Sequence, residues 1–87
     1  MPLTETDLEH IAMVAAQAAT SRDAVHALRG RFPGLAVTRV DAMDMRGESP
    51  VRRLAARDVY LVDARHHCWV VTADPAMATG IVIADNA

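Results

Sequence analysis

Apolar positions in this chain follow two different rhythms. From Leu8 to Phe32 they recur at helical spacing, and from Leu35 to Ala84 they alternate or bunch into short β-branched blocks. Leu8, Ile11, Ala12, Ala15 and Ala18 form one stripe of a first helix over about 4–19. Thr4 and Asp7 have the spacing of a capping box, and Leu3 and Leu8 occupy the two positions of a hydrophobic staple. Thr20-Ser21 interrupts the stripe. Ser21 then caps a second helix over about 22–31, with Val25, Leu28 and Phe32 as its buried edge and Pro33-Gly34 as its stop.

The second rhythm predicts four strands, at about 35–42, 58–64, 67–73 and 80–85. Ser49-Pro50 reads as an N-cap followed by Pro at N1, opening a short helix to about Ala56 after a polar loop at 43–49. Asp74-Pro75 repeats that signature for a single turn, which Gly80 closes. The order β-α-β-β-α-β from Leu35 suggests a ferredoxin-like arrangement. Residues 74–79 are too few for a parallel crossover, so the third and fourth strands are expected as antiparallel neighbours. The predicted fold class is α+β: one domain, an N-terminal helical hairpin packed on a mostly antiparallel four-stranded sheet.

A three-residue reversal at Ala64-Arg65-His66 pairs Asp63 with His67, Leu61 with Trp69 and Val59 with Val71 on one face. Tyr60 with Val70 and Val62 with Cys68 fall on the other. A two-residue reversal would shift this register; under either register both faces are largely apolar, and so are both sides of Ile81-Val82-Ile83-Ala84. Two helices cover one face, which leaves the other as an exposed apolar patch; the alternative is that the helices and the 43–57 segment together wrap both faces. The expected contact residues are Tyr60, Val62, Trp69, Val71, Ile81 and Ile83, with a second copy or another protein as partner.

Composition narrows the function classes. Hydrophobic residues at 52% and charged residues at 23% mark a globular chain, not a disordered one. Aromatic residues reach only 3%, too few for a base-stacking platform, and the net charge of -2 gives no electrostatic pull on a phosphate backbone. No nucleic-acid partner is expected. No apolar run approaches the roughly 20 residues of a bilayer span. The start of the chain lacks a signal-peptide pattern, and the lone Cys68 forms no intrachain disulfide. A soluble cytoplasmic protein is expected.

Two constellations invite chemistry. All nine basic residues are Arg, and Arg46, Arg52 and Arg53 gather around Ser49, where helix N–H groups and guanidinium forks would hold a small anion. Asp44, Glu48 and Asp58 interleave with these and with Arg57, which equally describes a solvated, internally paired surface. His66 and Cys68 are metal-ligand types, but His67 points to the opposite face of a regular strand and no second ligand pair completes a site. No acid–base or nucleophile constellation is visible, so neither catalytic residues nor a cofactor are expected.

The run Tyr60-Leu-Val-Asp-Ala-Arg-His-His-Cys-Trp-Val-Val-Thr-Ala-Asp-Pro-Ala-Met-Ala-Thr-Gly-Ile-Val-Ile-Ala84, after Arg29-Gly-Arg-Phe-Pro-Gly34, resembles a group of small uncharacterised bacterial proteins. The resemblance covers the last two thirds of the chain. It implies a setting beside nitrogen-fixation genes and carries over no catalytic residue. The expected role is a non-catalytic accessory or interaction domain, with a small-anion or metal-binding module as the alternative.

Overall fold

The computed structural model describes residues 3–65 and 68–85. Helix α1 spans Glu5–Gln17 and α2 Ser21–Arg31. The strands are β1 Ala36–Val40, β2 Arg52–Arg53, β3 Arg57–Asp63, β4 Val70–Thr72 and β5 Gly80–Asp85. Short 3-10 turns occupy Ala42–Met45 and Pro75–Met77. The α+β class and the placement of the N-terminal helices against the sheet stand as expected; the sheet has five strands, not four.

The first helix is built as its sequence specifies. Asp7 N–H donates to Thr4 Oγ1 at 3.1 Å, and Thr4 N–H donates to Asp7 Oδ2 at 3.0 Å, closing the capping box. Leu3 and Leu8 are both buried in the main core. The second cap differs from expectation by one residue. Thr20 is the N-cap of α2, accepting from Asp23 N–H at 3.0 Å, which frees Ser21 for a tertiary role.

The sheet order is β1-β5-β3-β2, with β4 also on β3. β5 therefore lies between β1, its parallel partner, and β3, its antiparallel one. This explains the unbroken apolar runs Val59–Val62 and Ile81–Ala84: they are the two central strands, covered on both faces. Gly80 is required by the same arrangement. A Cβ there would stand 2.9 Å from the Ala36 carbonyl oxygen and 3.3 Å from Val62 Cγ2. It serves this close approach at a strand start, in addition to following the 3-10 turn.

Three expectations are corrected. First, β4 and β5 are not antiparallel neighbours, since both run antiparallel to β3 on its opposite sides. They stand two strand spacings apart, about 10 Å, a span that a short segment reaches easily. The Asp74-capped 3-10 turn makes the crossing on the helix side, where Ala78 joins the main core and Pro75 C=O accepts from Leu3 N–H at 3.2 Å. Second, the register slips. Asp63 pairs with Val70, Val62 with Val71 and Leu61 with Thr72. β3 ends at Asp63 and β4 begins only at Val70; just past β3, Ala64 N–H donates to Thr79 Oγ1 at 2.8 Å and Arg65 forks onto Asp63 at 2.9 and 2.7 Å. The slip is an odd number of residues, so Val71 moves to the Val62 face. The pairing expected for His67 lies outside the described residues. Third, residues 50–56 form no helix. Arg52 and Arg53 pair with Val59 and Asp58 as a short strand, and Leu54 N–H donates to Arg57 C=O at 2.9 Å across the turn.

One core lies between helices and sheet, from Leu8, Ile11 and Leu28 to Val59, Leu61, Ile81 and Ile83. On the other face Tyr60, Val62, Val82 and Ala84 pack under Met45, with Val40 and Val71 at the margin. The 3-10 turn at Ala42–Met45 thus acts as a small lid. Tyr60 and Val62 are only 5% and 6% exposed. The expectation of an apolar face left open by a single chain is therefore corrected: the segment after β1, read as a polar loop, plants its one buried methionine there.

Candidate functional site

The basic residues expected to act together are divided by the pleat of β2. Successive strand residues point to opposite faces. Arg52, opposite Val59, faces the helices and lies 3.7 Å from Glu5 Oε2. Arg53, opposite Asp58, faces the lid. Arg53 and Arg46 line one cleft of about 330 Å³ with Met43, Asp58, Tyr60 and Asp85, while Ser49 is exposed and not part of its lining. The structure thus joins two of the four candidate anion-binding residues and sets two carboxylates beside them. In this cleft the Tyr60 hydroxyl is held above its usual pKa of 10.0, first by burial and then by the Asp58 charge, against the opposing pull of Arg53.

Of the metal candidates, His66 lies outside the described residues and Cys68 is exposed. Among the described residues no three His, Cys, Asp or Glu side chains come together. No helix among them is long and apolar enough to cross a membrane.

The six expected contact residues separate by face and depth. Ile81 and Ile83 are buried against the helices, and Tyr60 and Val62 beneath the lid, so none of these four is open to a partner. Val71 is half-buried and Trp69 is 43% exposed. Beside Trp69, Val70 is 58% exposed on β4, a strand bonded to β3 alone. Of the expected contact residues, the one left open therefore lies on the approach to an edge strand and not on a sheet face.

Two arrangements went unseen in the sequence. Arg57, 4% exposed, donates from Nη1 to the carbonyls of Ala15 and Ala18, the latter at 2.9 Å, and from Nε to Ser21 Oγ at 3.1 Å. Ser21 Oγ in turn donates to Asp85 Oδ1. Helix α1 has no basic residue in its last turn. Arg57 supplies the missing cation at that helix end from the sheet, and ties the elbow between the helices to β3 and β5. The second arrangement is a cleft lined by Arg22, Val25, His26, Arg29 and Arg39. The spacing Arg22, His26, Arg29 was a legible stripe at i, i+4 and i+7; the arrival of Arg39 from β1 was not.

No curated protein and no solved structure gives a significant match to this chain. Residues 10–86 match the family described as Family of unknown function (DUF6129), and the chain belongs to that family.

Proposed function

We propose that this chain is a small soluble, non-catalytic interaction domain that pairs with a second copy of itself through β4. One observation supports the reading most: a strand with a free edge carries Val70 at 58% exposure and follows Trp69 at 43%, beside the central strands β3 and β5, whose apolar residues are all buried. An unpaired edge offers backbone donors and acceptors to another strand. Two β4 edges meeting antiparallel about a two-fold axis would make the contact self-complementary, and the flanking Trp69 would add aromatic area. A cytoplasmic setting beside nitrogen fixation, implied by the resemblance, belongs to the same proposal.

Sedimentation velocity at tens of micromolar tests it. Wild type should sediment as a dimer, and the double variant Trp69→Arg with Val70→Lys should sediment as a monomer with an unchanged melting temperature. A wild-type monomer throughout that range sinks the proposal.

A further inference from the structure

We propose that the cleft between the outer stripe of α2 and the edge of β1 binds a phosphoryl group carried by a small soluble molecule. The cleft is about 560 Å³ and is lined by Arg22, Val25, His26, Arg29 and Arg39. It lies at the β1 end of the sheet, with β5 and β3 between it and the β4 edge, and does not depend on self-association.

The cations are gathered here against the general charge of the molecule. The chain carries a net -2, yet three of its nine arginines and one histidine line this cleft with no acidic residue among them. Along α2, Arg22, His26 and Arg29 stand at i, i+4 and i+7 and so stack on one side of the helix, with the two guanidinium groups two turns apart and the imidazole between them. The positions are also built. Arg29 Nε donates to the Val37 carbonyl at 3.0 Å, which fixes the guanidinium across the strand edge and leaves its terminal nitrogens as donors. Arg39 stands two residues beyond Val37 and so shares its helix-facing side. It lies 3.7 Å from Asp85 Oδ2, whose other oxygen already accepts from Ser21. Among the described residues Arg22 and Arg29 have no ion-pair partner.

The donor set selects the ligand class. A carboxylate brings two oxygens and one charge, and one guanidinium fork saturates it. A phosphoryl dianion brings three acceptor oxygens and close to two charges, which suits several forks converging from a helix and a strand. A nucleic acid is disfavoured, because the basic stripe is one helix wide and the net charge of the chain repels a long polyanion. The lid-side cleft lacks this selectivity, since Asp58 and Asp85 stand beside Arg46 and Arg53 there.

The test is a titration of the full chain with inorganic pyrophosphate, followed by proton–nitrogen correlation spectra that include the arginine Nε–H signals. Saturable shifts should centre on Arg22, Arg29 and Arg39. Arg22→Gln with Arg39→Gln should weaken binding at least about tenfold, which is about 1.4 kcal/mol. The single variant Arg22→Gln, at an exposed position, should weaken it in the same direction with an unchanged melting temperature. Arg46→Gln with Arg53→Gln should bind as wild type does. The proposal is overturned by the absence of saturation, by equal shifts with sodium chloride at matched ionic strength, or by loss of binding in the Arg46/Arg53 pair instead. Citrate binding as tightly as pyrophosphate would overturn the phosphoryl assignment. Binding to phosphoinositide vesicles without any to pyrophosphate would overturn the soluble source.

Discussion

The two faces of the β3–β5 sheet are both dry, but they are kept dry by different means. The helix face is closed by two helices whose Leu8, Ile11, Ala24 and Leu28 interlock with Val59, Leu61, Ile81 and Ile83, and Arg57 fastens the elbow of those helices to the sheet. The opposite face is closed by one 3-10 turn that contributes a single fully buried side chain, Met45. Many contacts share the load on the first face, whereas one residue carries it on the second. Free energies of local opening follow the density of buried apolar contact. The helix face should therefore open only with global unfolding, and the lid should open on its own.

The sharpest way to break this comparison is at Arg57. Arg57→Ala strips two helix-end carbonyls and Ser21 of their buried donor, and should cost about 3–5 kcal/mol in urea unfolding, most of the stability of a chain this size. Arg57→Lys should recover only a fraction, because one ammonium cannot reach all three acceptors in the planar fork's geometry. A loss under about 1 kcal/mol would show that the helices hold to the sheet by apolar packing alone.

A paired truncation comes next. Leu28→Ala should cost about 3–4 kcal/mol, and Met45→Ala about 2, because a turn can collapse onto a cavity more readily than a packed helix can. Hydrogen exchange separates the two variants. Met45→Ala should accelerate exchange at Val82 and Tyr60 before the rest of the sheet, while Leu28→Ala should accelerate all protected amides together. Uniform acceleration in both variants would mean that the lid belongs to the same cooperative unit as the helices.

The smallest effect is a pH slope beneath the lid. Folding holds the Tyr60 hydroxyl above its ordinary pKa of 10.0, chiefly through burial. The folded chain then keeps a proton that the unfolded chain releases, so stability falls as pH rises above about 10. Tyr60→Phe should flatten that fall and leave stability near neutral pH almost unchanged. Unfolding midpoints measured at intervals from about pH 8 to pH 11 read it directly, and an unchanged slope in the variant would show the hydroxyl to be solvated.

How much of this could be read in advance depends on how far the controlling contact lies along the chain. The Thr4–Asp7 box, the Leu3–Leu8 staple and the stop at Pro33-Gly34 involve residues within a few positions of one another, and each appears where the sequence puts it. The apolar runs at 59–62 and 81–84 correctly signalled strands buried on both sides. They were silent on whether a partner or the chain itself supplied the second cover. The candidate sites fared by the same rule. Arg52 and Arg53 are adjacent in sequence, and for that reason a strand sends them to opposite faces.

The amino-acid sequence by itself determined the two N-terminal helices, the cap of the first, the apolar strands and the α+β class, because local backbone preferences and hydrophobic period act over a handful of residues. Tertiary structure alone decided that β5 would slide between β1 and β3, that Asp63 and Thr79 would pull the hairpin out of its simplest register, and that Met45 would roof the second face. It also decided that Arg57 would cap a helix forty residues away and that Arg39 would join the stripe on α2. Those outcomes are settled by which distant groups satisfy each other's buried hydrogen bonds and volume, a balance that no short stretch of sequence contains.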